Sequence, residues 1–302
     1  MKHWASSIAT GLIAVALSGC GAATDGESVG SQQSALGECT AFSQSYYSVS
    51  GEGDVKLKPL STHFCWLTKS SGDFDGGYNT NGLFVYVQSD DYWHLESTGG
   101  GGIGEARCTP RSCFSGDGVN DVNWISDGAA AIANRFPNDS SCDNYSTATW
   151  WGDAATVLTG HPGPGRTQGG GEYSNVTLSY DPFASSHVKA NDCYNDGKPI
   201  YADAVSLFVG TPSGGRAAHY TGIPFSVSGN YTLNLGVYTE DAFCFFTHIT
   251  GKFRGGGESE RLYTVKESAT GKYVWYAQST QGGAGSSLRS EGRCYYYHQW
   301  DL

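Results

Sequence analysis

Three kinds of side chain in this 302-residue sequence are grouped so that they could do chemistry: clustered carboxylates, histidines and cysteines. Asp73 and Asp75 flank Phe74 before two glycines. Asp117, Asn120, Asp121 and Asn123 fall within seven residues, and Asn191, Asp192, Asn195 and Asp196 form a third group. Oxygen-rich loops of this kind suit calcium, a hard cation that takes carboxylate and carbonyl ligands. Asp117 and Asp121 are the best calcium candidates. None of the groups has the D-x-[DN]-x-[DN]-G spacing and distant Glu of a dedicated calcium loop, and Asn and Asp are also habitual turn residues. The histidines are scattered without an HExxH pair. Only His94-Leu95-Glu96 sets two polar groups on one face of a strand. The GGGE stretches ending at Glu172 and Glu258 lack the Lys-Ser/Thr and helix of a phosphate cradle, so they read as a tight turn or bulge entering a strand. No catalytic residue is assigned, and calcium is the one cofactor to consider.

The nine cysteines include no CxxC pair, which argues against a zinc ribbon and against redox catalysis. Cys20 stands apart from the rest. Lys2 and His3 precede an apolar run over residues 8–16 that is too short to span a bilayer, the pattern of a removable export signal. Leu17-Ser18-Gly19-Cys20 at its end resembles the lipobox of bacterial lipoproteins. That resemblance implies cleavage between Gly19 and Cys20, with acyl chains on the cysteine thiol and on the new amino group. The expected partner is therefore a membrane, reached through the lipid anchor. Several chains on one cysteine hold far more firmly than one. Gly21, rather than Asp, follows the cysteine, which by analogy directs the protein to the outer membrane of a two-membrane envelope. Residues 1–19 are then the signal peptide. Residues 20–38, small and without periodicity, are a flexible tether.

Charge excludes one large class of partner. The 18 basic and 29 acidic side chains give a net of −11, and loss of Lys2 with the signal peptide takes it to −12. Nucleic acid needs clustered Lys and Arg, so it is not expected as a ligand. With 43 glycines, 19 tyrosines and only 16 % charged residues, the composition favours short strands and tight turns over helical bundles.

The elements that must position any site repeat along the chain. Cys65-Trp66-Leu67-Thr68 is followed by glycines and Phe74. Thr156-Val157-Leu158-Thr159 is followed by GGGE, and Cys244-Phe245-Phe246-Thr247 by Phe253 and GGGE. The motifs start at 65, 156 and 244, that is 91 and then 88 residues apart. Each is followed by a β-rich run (83–88, 176–180, 262–266), a turn, and a returning run (92–95, 187–189, 272–278). The first and last copies close with Arg107-Cys108 and Arg293-Cys294, and the middle one with Cys193. The expected fold is mainly β: three divergent, disulfide-stapled antiparallel repeats over 39–114, 115–198 and 199–302. An alanine run at 128–136, with Asp127 as N-cap and Pro137 as terminator, predicts one short helix in the middle repeat. Bridges Cys65–Cys108 and Cys244–Cys294 would join the first and last strands of their repeats. The other four, Cys39, Cys113, Cys142 and Cys193, complete an even set, as suits an exported chain; Cys142 could pair with Cys193, which leaves Cys39 for Cys113, and spacing does not fix these two pairings. The Cys-x-Leu/Phe-Thr, GGGE and Arg-Cys pattern resembles repeats of secreted bacterial proteins, and that resemblance carries no activity over.

Adjacent aromatic residues supply the binding candidates. Tyr92-Trp93, Trp150-Trp151 and Trp275-Tyr276 put neighbouring rings on opposite faces of a strand, so one ring of each pair can face out. Trp93, Trp150, Trp151 and Trp275 are the candidate ligand platforms, of the kind sugar-binding modules use. The sequence thus points to a non-catalytic envelope lipoprotein presenting tandem β modules to a glycan or a surface protein. An extracellular hydrolase with its site between repeats is the rival reading, and a structural envelope component is a third.

Overall fold

Strand after strand in this chain alternates apolar with polar residues, the period that buries one face of a sheet. In the computed structural model, which describes residues 45–73, 82–98, 101–114, 145–146, 150–151, 154–162, 173–179, 185–191, 203–208, 223–251, 253–282 and 288–297, these runs form eighteen antiparallel strands. An N-terminal set comprises β1 (Ser45–Ser50), β2 (Gly53–Pro59), β3 (His63–Asp73), β4 (Gly82–Val87), β5 (Tyr92–Thr98) and β6 (Gly102–Pro110). A middle set comprises β7 (Tyr145–Ser146), β8 (Trp150–Trp151), β9 (Ala154–Pro162), β10 (Tyr173–Ser179), β11 (Ser185–Asn191) and β12 (Asp203–Phe208). The C-terminal set is β13 (Ile223–Ser228), β14 (Tyr231–Tyr238), β15 (Ala242–Thr250), β16 (Arg254–Lys266), β17 (Tyr273–Thr280) and β18 (Arg289–Tyr296). Among the described residues the only helical element is a 3-10 turn at Arg111–Phe114. The predicted helix at 128–136 lies outside the described residues, as do Gly19, Cys20, Cys39, Asp117, Asp121, Cys142 and Cys193.

The N- and C-terminal sets pair in the same order. The sixth strand of each lies between the first and third (β1-β6-β3; β13-β18-β15), and the fifth lies between the fourth and second (β4-β5-β2; β16-β17-β14). In the middle set β12 pairs with β9, and β11 lies between β10 and β7. The sets interlock in a ring. β3 pairs with β16, β15 with β10, and β9 with β4, so each of the three sheets is built from two sets. The strands β3, β9 and β15 also touch one another, which puts them at the centre.

A bulge recurs at one place in all three sets. The register slips by a residue at Thr68 in β3, at Thr159 in β9 and at Thr247 in β15, each the threonine that closes its four-residue motif. A bulge bends its strand and increases the local twist, as strands converging on a common centre require. At the first of them the Thr68 hydroxyl donates to the carbonyl of Glu105 at 3.2 Å, which keeps the hydroxyl satisfied where it is buried. The GGGE segment of β16 also departs from regular pairing. Its register shifts between Arg254 and Ser259, and Gly257 adopts a φ of 98°, which favours glycine.

The core is aromatic and cross-linked. Cys65 lies directly opposite Cys108, and Cys244 opposite Cys294. Both pairs are disulfides and fully buried, as the spacing predicts. Cys113 is also disulfide-bonded, with a partner outside the described residues. Trp66, Phe64, Phe243, Trp275 and Tyr297 pack around these bridges, with Trp66 and Phe243 centroids 5.5 Å apart. Burying one such ring is worth about 4–6 kcal/mol of transfer free energy as an upper figure. The Trp66 indole N–H donates to the carbonyl of Cys244 at 2.9 Å and so ties the N-terminal set to the C-terminal one.

Candidate functional site

Side chains that the core does not use point outward from the two three-stranded half-sheets, β4-β5-β2 and β16-β17-β14. Along β5, Trp93, Leu95 and Ser97 are buried inward, so His94 and Glu96 fall on the opposite face, where His94 is itself buried by its neighbours and Glu96 is half-buried. Along β17, Trp275, Ala277 and Ser279 turn inward, and Tyr276 and Gln278 turn out. Register makes the two faces correspond. His94 is flanked by Tyr86 and Lys56, and Tyr276 by Tyr263 and Asn234.

The face on β4-β5-β2 is a continuous polar network. His94 Nδ1 lies 2.8 Å from Asp54 on β2, and Nε2 lies 3.3 Å from Asp90 in the β4–β5 turn. Asp90 also accepts from Lys56 Nζ at 2.8 Å and from the Tyr92 backbone N–H at 3.1 Å. Lys56 above all holds that carboxyl down to about 2. The same ammonium lies 3.5 Å above the Tyr92 ring. Tyr86 donates its hydroxyl to Glu96 at 2.8 Å and accepts from Gln88, which also reaches Asp54. Burial first, then the bond to Glu96, pushes the Tyr86 phenol up to about 12. Every member of the network is thereby fixed in orientation.

The face on β16-β17-β14 is aromatic. Tyr263 and Tyr276 stack with centroids 5.6 Å apart, and Asn234 donates to the Tyr276 hydroxyl at 3.1 Å while its own carbonyl accepts from Gly236 N–H at 2.8 Å. Arg261 sits 5.3 Å over the Tyr263 ring. Its Nε donates at 2.9 Å to the buried Glu105, which also faces Lys69 at 3.4 Å. This corner joins the two sets with a cation-rich cluster around one carboxylate.

Chemically, the arrangements offer hydrogen-bonding groups and ring edges. Both His94 nitrogens face carboxylates, and no hydroxyl or thiol bonds to the ring. Among the described residues no three His, Cys, Asp or Glu side chains converge as metal ligands. No described helix is long and apolar enough to cross a membrane.

The expectation that Trp93 and Trp275 form exposed platforms is corrected. They are 1 % and 0 % exposed, and each indole N–H donates to a backbone carbonyl, that of His63 at 2.9 Å and of Ala242 at 3.0 Å. Those carbonyls lie two residues before Cys65 and Cys244, so the two indoles do the same structural job. The neighbouring tyrosines, Tyr92 and Tyr276, take the outer face. The ring with more hydrocarbon is the one removed from water. Trp150 and Trp151 form β8, paired with Ser186 and Ser185 of β11. Asp54, Asp90, Lys56, Asn234 and Tyr263 escaped the sequence reading, because nothing local marks β2 or β14 as neighbours of β5 and β17. No protein-family model, no curated protein and no solved structure matches the chain.

Proposed function

We propose that this is a lipid-anchored envelope protein built from three copies of one β unit, which binds a glycan or a surface protein through the outer faces of its half-sheets. The observation that supports it is a contrast between inside and outside. Four interior positions related by the pairing keep their residue types: Cys65 and Cys244, Trp93 and Trp275, Ser97 and Ser279, Cys108 and Cys294. On the outer faces His94 stands against Tyr276, Lys56 against Asn234, and Asp54 against Thr232. A scaffold that keeps its bridges and inward tryptophans and varies its faces suits recognition of different groups by each face. Weak sites on one rigid body also gain apparent affinity from effective concentration. The hydrolase reading is less well supported, since His94 has carboxylates on both nitrogens and no nucleophile beside it.

The test is a glycan array probed with the full-length protein in detergent, alongside the double variant Y263A/Y276A. Binding that is lost in the variant supports the reading. Turnover of a polymeric substrate with no retained ligand would replace it with the hydrolase. The anchor is tested separately: the wild-type chain should take up labelled palmitate and sediment with membranes, and C20A should do neither.

A further inference from the structure

Glu260 is the one carboxyl of the C-terminal set with no exposed surface at all. It lies on β16, across from Ser279 of β17 on one side and Ser70 of β3 on the other. The Ser279 hydroxyl donates to Oε1 at 2.6 Å, and the Ser290 hydroxyl, from β18 of the adjoining sheet, donates to Oε2 at 2.5 Å. The Ser70 hydroxyl is buried in the same corner with no hydrogen-bond partner. The bonded box thus joins β16 to β17 and to β18 of the adjoining sheet, with Ser70 of β3 as the register neighbour of Glu260, and all three hydroxyls are neutral.

No positive charge faces it. Lys69 and Arg261 flank the Ser70–Glu260 pair and turn to the opposite face, where both meet Glu105. Arg289 and Glu291 flank Ser290, turn away likewise and pair with each other, and His248 lies opposite Glu291 on that outer side. The register partners of Ser290 are Ile249 and Val227, both apolar. Among the described residues the other buried titratable side chain of β16 is Glu258, which would add a like charge, and Lys266 lies exposed at the far end of the strand. A carboxylate without counter-charge in such a place is disfavoured against the neutral acid. A neutral acid also needs an acceptor for its proton, and a serine hydroxyl with free lone pairs is one.

We propose that Glu260 is a proton-dependent clasp between two sheets: as the neutral acid it holds β16 of one to β18 of the other, and loss of its proton lets that corner, where β16 lies against β3, open. Burial pushes this carboxyl up to about 8, whereas an exposed glutamate ionises near 4.5. A raised value in the closed state means that closure is fully supported below the exposed value and is lost as pH rises toward the buried one. Between those limits the closed state carries one proton that the open state lacks, so opening grows about tenfold per pH unit and levels off above pH 8.

The experiment is amide hydrogen exchange of the full-length chain from pH 5 to 9, corrected for intrinsic rates, read at Ser70, Ser71, Glu260 and Arg261. Wild type should open about tenfold more per unit up to pH 8 relative to E260Q, which keeps the shape without the titration. E260L/S290G, which copies the corner of the N-terminal set, guards against a fold lost to the amide and should be flat as well. Equal pH dependence in wild type and either variant would overturn the proposal, as would a flat wild type.

Discussion

One corner of the core is built twice, with opposite polarity. In the N-terminal set Leu83 is fully buried against Gly104 and Ser97, and a Cβ added to Gly104 would come within 2.9 Å of the Leu83 side chain. In the C-terminal set the corresponding positions hold Glu260, Ser290 and Ser279. The serine common to both, where its neighbour is leucine, donates to the Gly102 carbonyl at 3.5 Å. Opposite glutamate it becomes a donor to a buried carboxyl. The pairing order therefore dictates the volume of the corner and leaves its polarity free, provided each polar atom placed there finds a partner. Leucine with glycine and glutamate with serine are two ways of filling one space.

If the two sets are mechanically alike, their disulfides should be too. Removing Cys244–Cys294 by C244A/C294A should cost about 4 kcal/mol, and C65A/C108A should cost the same to within about 0.2 kcal/mol, because loop entropy depends only on the logarithm of loop length. Chemical denaturation of the two double variants checks this. A large inequality would mean that one set bears more of the fold than the other.

The corner itself can be exchanged. E260L/S290G should raise stability by about 1–4 kcal/mol above pH 8, where the wild-type carboxyl would be charged, since hydrophobic replacement of a buried ionisable group is commonly neutral or favourable. E260L alone should gain less, by about 1 kcal/mol, because it strips both serines of their acceptor. The reverse graft, L83E, brings no donor at Gly104 and should be strongly destabilising. Equal effects of E260L and E260L/S290G would break the correspondence between the corners.

A second pair of positions is asymmetric in size. Ala106 on β6 corresponds to Gly292 on β18, where a Cβ would lie 2.2 Å from both the Phe225 ring and the Phe245 carbonyl oxygen. G292A should cost about 2–3 kcal/mol by overpacking, and A106G well under 1 kcal/mol beyond its backbone entropy. Thermal unfolding of the two variants tests it.

How much of this was legible in the residues follows from the same comparison. The strands, the two disulfides and the sheet class rest on local alternation and on cysteines that end paired strands, so sequence carried them. The threonine of each four-residue motif was legible as a recurrence, but its role as the bulge appears only when the partner strand is known. Trp93 and Trp275 were seen as chemistry when they are packing, since a Trp-Tyr pair says that one ring faces out without saying which. Glu260 gave no sign at all. It sits two residues beyond the GGGE glutamate in a polar run, and its burial comes from β3 and β18, nearly 200 residues before and 30 residues after it. Non-local pairing of this kind is what composition and spacing do not encode.

The outer faces should behave in the opposite way to the core. Lys56 and Asp90 are an exposed pair, side chains 51 % and 39 % accessible, so K56A should change stability by less than about 0.5 kcal/mol despite its 2.8 Å contact. H94Q removes a buried ring held between two carboxylates, and Y276A removes a half-buried ring stacked on Tyr263. If these faces exist for recognition, K56A and Y276A should leave unfolding nearly unchanged and H94Q, at a buried ring, should cost less than a core substitution, while all three alter retention of whatever ligand the wild-type protein captures. Y276A should act on one face and H94Q on the other, so a ligand that spans both would be weakened by either and lost with the pair. Should H94Q instead unfold the protein as readily as a core substitution, the polar network is part of the scaffold, and the division between scaffold and recognition face fails for that half-sheet.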